Sequence, residues 1–137
     1  MPNIISDYYV DELVEWDGSL IFYSQEIFEI EKKLNDVINR DTIPNIAKLV
    51  EEKRNKLDDI SDNFYKIQLK IQDLEQYLLP DDVAIDDSLL NEQKEQLQND
   101  LRFKMHEIER EFIDIKYSCY HFLAQTMRKQ NSAGRGN

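Results

Sequence analysis

The chain has 137 residues, with 28 Asp and Glu against 17 Lys and Arg, giving a formal net charge of -11. Three Gly and three Pro are too few for a loop-rich or low-complexity chain, and one Cys excludes an internal disulfide and a cysteine-built zinc site. No apolar run reaches the about 18 residues that span a bilayer, and residues 1–9 lack the basic start and apolar stretch of a signal peptide.

The expectation is therefore a single cytoplasmic domain over residues 1–130, followed by a disordered tail at 131–137. Gripping phosphates requires clustered bases, and here the bases are scattered among more numerous acids. Neither a nucleic acid nor a membrane is an expected partner.

The first predicted helix covers 7–40. Tyr9, Leu13, Trp16, Leu20, Tyr23, Ile27, Ile30, Leu34 and Val37 follow steps of four and three without error, the a/d pattern of a packed helix. Asp17-Gly18-Ser19 has the composition of a turn, but a true break has no reason to preserve the phase across it. Trp16-Asp17-Gly18 also resembles the turn signature of the small secreted Trp-x-Gly helical hairpins. That likeness covers three residues. The hairpins carry the motif between two helices, and this chain lacks their C-terminal Tyr-x-x-x-acid signal after Tyr120, so no membership follows.

Pro44 suits a first helical turn and not an interior, which places the second helix at 44–79, before Pro80. Its ladder is Ile46, Val50, Leu57, Ile60, Phe64, Ile67, Ile71, Leu74 and Leu78, with Lys53 in one slot. Asp81, Asp82, Asp86 and Asp87 lack calcium-loop spacing, and the last two read as caps for the next helix.

The third predicted helix covers 88–129, with Leu90, Leu97, Leu101, Met105, Ile108, Phe112, Ile115, Cys119, Phe122 and Thr126 in its seam. The four-four step around Leu101 is expected to relax any supercoil there. Three long helices with short connections predict an all-α fold: an elongated, coiled-coil-like, antiparallel up-down-up three-helix bundle.

Chemistry-bearing residues are few. Cys119 occupies a core slot, where a free thiol acts as a small hydrophobe. His106 and Glu109 share a helix face, but a carboxylate-bridged di-metal site needs Glu-x-x-His on two helices and further inward acids. No catalytic residue, metal ligand or cofactor is expected.

The departure from a plain bundle lies outside the seams. With Leu13 and Leu20 at a, the b positions Val14, Ile21 and Phe28 point roughly 130° from the seam centre, with Tyr8 and Phe22 nearby at c. The third helix repeats this with Ile113, Tyr120 and Met127, joined by Tyr117. Val14, Ile21, Phe22, Phe28, Ile113, Tyr117, Tyr120 and Met127 are the candidate interface. They point to a non-enzymatic interaction module (an adaptor, scaffold or chaperone-like protein) whose protein partner the residues do not name. The alternatives are a metal-binding or enzymatic bundle and a purely structural homodimer. Setting Leu20 level with about Lys104 puts the two stripes in opposite halves of the rod, so a two-fold axis places one against the other.

Overall fold

A computed structural model describes residues 4–40, 44–78 and 88–135, with side chains over 7–40, 44–76 and 92–130. They form three helices, α1 (Ile4–Arg40), α2 (Ile46–Leu78) and α3 (Ser88–Arg135), and no strand among the described residues. The fold is an all-α three-helix bundle, each helix packed on the other two.

α1 runs through Gly18 without a break. A glycine there costs about 1 kcal/mol of helix propensity relative to Ala. Leu13, Trp16 and Leu20 on either side are buried, and such a side chain contributes roughly 1.5–3 kcal/mol, so packing wins. α2 begins at Ile46, two residues later than predicted, and Pro44 precedes the helix rather than opening it. Asn45 intervenes with φ of 62°, a left-handed conformation that Asn tolerates. Its carbonyl accepts the Leu49 N–H at 3.2 Å and closes the first turn.

α3 continues to Arg135, which corrects the predicted tail: residues 131–135 are helical. No proline follows Ser88 to stop the helix. Gln130 also anchors this end, donating from Nε2 to the Val37 carbonyl at 3.2 Å. Val37 lies in the last turn of α1, where carbonyls have no partner within the helix. The linker acids, Leu79 and Pro80 fall outside the described residues.

Contacts between side chains set the directions. Along α1 and α3 partner numbers rise together, from Gln98 on Tyr9 to Tyr23 on Glu109 to Gln130 on Val37, so these helices are parallel. α2 runs against both: Gln68 reaches Asp17, and Lys53 reaches Ser118. A layer of Tyr23, Phe64 and Phe112, one from each helix, holds the middle of the rod, with ring centroids 4.9 to 6.0 Å apart. Tyr23 Oη donates to Glu109 Oε2 at 2.9 Å at the same level.

The seams of α1 and α2 lie where the spacing puts them, from Leu13 to Val37 and from Ile46 to Leu74, with Tyr9 and Tyr23 half-buried. Lys53, the polar slot, is half-buried and donates to Ser118 Oγ at 2.7 Å.

The seam of α3 differs from the prediction at two places. Leu97 is exposed, and Gln98 fills the core slot with no exposure at all. The reason is helix stiffness. Leu101, Met105, Ile108 and Phe112 fix the phase, and stepping back three and then four residues lands on Gln98 and Lys94, which is also buried. The four-four step therefore lies at Ile115, Cys119 and Leu123 rather than at Leu101. Leu123 is buried, and Phe122 is half-buried beside it.

Candidate interaction face

Each helix presents two flanks to its neighbours, and the flanks of α1 are well defined. Asp17 faces α2, accepting from Gln68 at 3.5 Å. Glu12, Glu26 and Lys33 face α3. Arg102 donates to both carboxylate oxygens of Glu12, at 2.6 and 2.9 Å. Lys116 Nζ stands 2.5 Å from Glu26 Oε2, and Lys33 Nζ lies 5.2 Å from the centre of the Tyr120 ring. The b, c and f positions of α1 are left facing outward.

Those positions carry large apolar side chains. Val14 is 59% exposed, Ile21 48%, Phe22 57% and Phe28 57%. Gly18 lies among them, one turn from Val14 and one from Phe22, and a Cβ built on it meets nothing within 4 Å. In the antiparallel register set by Asp17 and Gln68, Tyr65 of α2 comes level with Ile21. Tyr65 and Leu69, one turn away, are exposed too and extend the face onto α2. Neither residue repeats at seven-residue spacing along α2, so the e-to-e register of α1 and α2 is the signal that joins them to Ile21.

The stripe on α3 is less continuous than predicted. Ile113, Tyr117 and Met127 are exposed, but Tyr120 is half-buried, packed against the core and drawn beneath Lys33. α1–α3 partners are 86 to 93 residues apart in sequence, where the predicted levels assumed 84. Ile113 therefore stands level with about Ser24, and the start of the α3 stripe overlaps the end of the α1 stripe instead of lying in a separate half. Leu97 and Phe103 on α3 are exposed as well. Leu97 lines a shallow groove between α2 and α3 with Leu74 and Leu101, bordered by Lys70, Asp73, Asp100 and Lys104.

The electrostatics are uneven. Burial alone raises the Glu12 carboxyl, but the hydrogen bonds from Arg102 and Gln98 outweigh it and hold Glu12 below its ordinary 4.5. Gln98 donates to Glu12 Oε1 at 2.8 Å and to the Tyr9 carbonyl at 3.3 Å, which ties this network to the core. Glu31 goes the other way: burial and its neighbour Asp58 across the α1–α2 groove both raise it, and Arg54 only partly offsets them. Burial and the bond to Glu109 push the Tyr23 hydroxyl up to about 12.

Cys119 is fully buried, and burial pushes its thiol up, against Lys53 and Lys56, whereas a nucleophilic thiol needs a lowered pKa. His106 is exposed, and Glu109 is engaged by Tyr23. Among the described residues no three His, Cys, Asp or Glu side chains converge as metal ligands, and no helix is long and apolar enough to cross a membrane. No protein-family model, curated protein or solved structure matches the chain.

Proposed function

We propose that the protein is a non-enzymatic protein–protein interaction module that works through the outward face of α1. The observation that carries this reading is the set Val14, Ile21 and Phe28. They are large and apolar, spaced seven residues apart, and close to half exposed or more, on a helix whose seam is already complete without them. Exposed apolar patches of this kind mark contact surfaces, and aromatic residues are favoured at interface centres. The rest of the chain supplies a stiff support: an apolar core along the rod, an aromatic layer at its middle and polar ties near both ends.

The test is a pull-down from the source cell with the full chain and with Ile21→Gln/Phe28→Gln. Loss of a specific partner by the double variant, with helicity and melting unchanged, supports the module. Equal capture by both removes this face from the function. A structural homodimer is the second reading, favoured by exposed apolar side chains on both α1 and α3, which a two-fold axis can set against each other. It is tested by solution mass at tens of micromolar, where a monomer rules it out. Stoichiometric iron, manganese or zinc in the purified protein would instead favour a metal-binding bundle.

A further inference from the structure

Two features of the outward face of α1 have no use inside the bundle. The first is Gly18. It is helical, makes no turn, has no positive φ, and a Cβ there would meet nothing within 4 Å. Its absent Cβ weakens the helix and relieves no crowding within the chain. What it leaves is a flat spot with Val14 on one side and Ile21 and Phe22 on the other, where another backbone can come close.

The second feature is charge. Between Ile4 and Glu31, α1 carries eight acidic residues and no Lys or Arg. Arg102 and Lys116 neutralise two of them, Glu12 and Glu26, from α3, and Lys32 stands 3.8 Å from Glu29 in an exposed pair. Glu15 and Glu29 border the apolar side chains from one flank. On the other flank Glu31 meets Asp58 of α2, a like-charge contact that Arg54 offsets only in part. Lys32, at the far end, is held over the Phe28 ring at 4.6 Å.

We infer that this face docks an amphipathic helix of another protein, one with an apolar stripe between basic flanks, lying along α1 with its closest approach at Gly18. The inference rests on the reading of the protein as an interaction module and specifies the partner's chemistry. The span from Val14 to Phe28 is about 21 Å at 1.5 Å per residue, or about four helical turns, the length engaged by two successive heptads of anchors, from i through i+7 to about i+14, on a facing helix. Basic flanks complement Glu15 on one side, with Glu29 shared with Lys32 at its end, and the Glu31–Asp58 pair on the other, and such complementarity selects partners and speeds encounter. A second copy of this chain fits poorly, because pairing this face with itself opposes acid to acid.

The experiment uses the full chain and three labelled synthetic 18-residue peptides in 0.15 M salt. One is a Leu/Lys helix with an apolar stripe, the second has Glu in place of every Lys, and the third is a scramble of the first with equal charge and no stripe. Fluorescence anisotropy is expected to show saturable binding of the first peptide, at least about tenfold tighter than of either other, a difference of about 1.4 kcal/mol. Ile21→Gln/Phe28→Gln and, separately, Gly18→Leu are expected to weaken it about tenfold while melting is unchanged or raised. Gly18→Leu is the sharper variant, since the Cβ it adds meets nothing within 4 Å in the isolated bundle.

Equal binding of the scramble, equal binding of the acidic peptide, or undiminished binding by Gly18→Leu each overturns the inference. If the peptides fail while Ile21→Gln/Phe28→Gln still loses its cellular partner, the partner chemistry is wrong and the module stands. If both fail, both fall. A wild-type dimer dissolved by Gly18→Leu places a second copy on this face and also overturns the inference.

Discussion

At the scale of single residues, Gly18 and the two perturbed glutamates give the clearest expectations. Gly18→Ala adds a Cβ that meets nothing and removes the flexibility of a helical glycine. It is expected to stabilise the protein by about 0.5–1 kcal/mol, read as a rise in melting temperature, and a fall would mean that Gly18 faces something within the monomer. Glu12 and Glu31 have opposite pH signatures. Glu12 is depressed, so its contribution is present above the ordinary 4.5 and is lost as pH falls through its lower folded value. The deficit of Glu12→Gln relative to wild type should be full at pH 7 and shrink below about pH 4.5. Glu31 is raised, so its charge opposes folding at neutral pH and the opposition fades as pH falls through its folded value towards the ordinary 4.5. Glu31→Gln should match or exceed wild-type stability at pH 7, with the gain disappearing in acid. Urea unfolding across pH 3–7 checks both. Pairings of this kind are not legible in the sequence, because Glu12 and Arg102 are separated by 90 residues and meet only once the parallel register of α1 and α3 is known.

At the scale of the element, α3 shows where periodicity works and where it fails. The seam of α1 is legible because almost every slot is apolar and no alternative phase competes. In α3 the two slots before Leu101 hold Gln98 and Lys94, and apolar Leu97 sits one position away. Hydrophobicity points to Leu97, whereas the phase fixed by Leu101 to Phe112 points to Gln98. A stiff helix cannot turn about 100° within one residue to satisfy both. This yields a direct exchange. Leu97→Gln/Gln98→Leu fills the buried slot with a leucine and removes a side-chain oxygen that meets no donor among the described residues. It also sacrifices the bonds of Gln98 to Glu12 and Tyr9. Burying a leucine contributes roughly 1.5–3 kcal/mol and each lost bond costs about 1, so the exchange should be neutral to stabilising by about 1 kcal/mol. A loss of several kcal/mol on denaturant unfolding would restore the phase through Leu97. The continuation of α3 to Arg135 was hidden for a related reason. Asn, Ser and Gly look like a tail by composition, but nothing there stops a helix already tied down by Gln130.

At the scale of the whole molecule, the three seams share one axis and the aromatic layer couples them. Phe112→Ala removes the ring that contacts both Tyr23 and Phe64, and should cost about 3–5 kcal/mol in a single cooperative transition. The architecture was readable from three runs of heptad spacing and two proline-marked stops. The candidate face was readable in part: b-position arithmetic finds Val14, Ile21 and Phe28, but Tyr120 turns inward under Lys33, and Tyr65 joins the face only through the α1–α2 register. The account stands on the claim that the outward side chains of α1 are surplus to the fold. The direct measurement is denaturant unfolding of Ile21→Gln/Phe28→Gln against wild type. Two surface substitutions predict a change within about 1 kcal/mol. A loss of 3 kcal/mol or more, in the range of core truncations, would show that these side chains are part of the core and would contradict the claim.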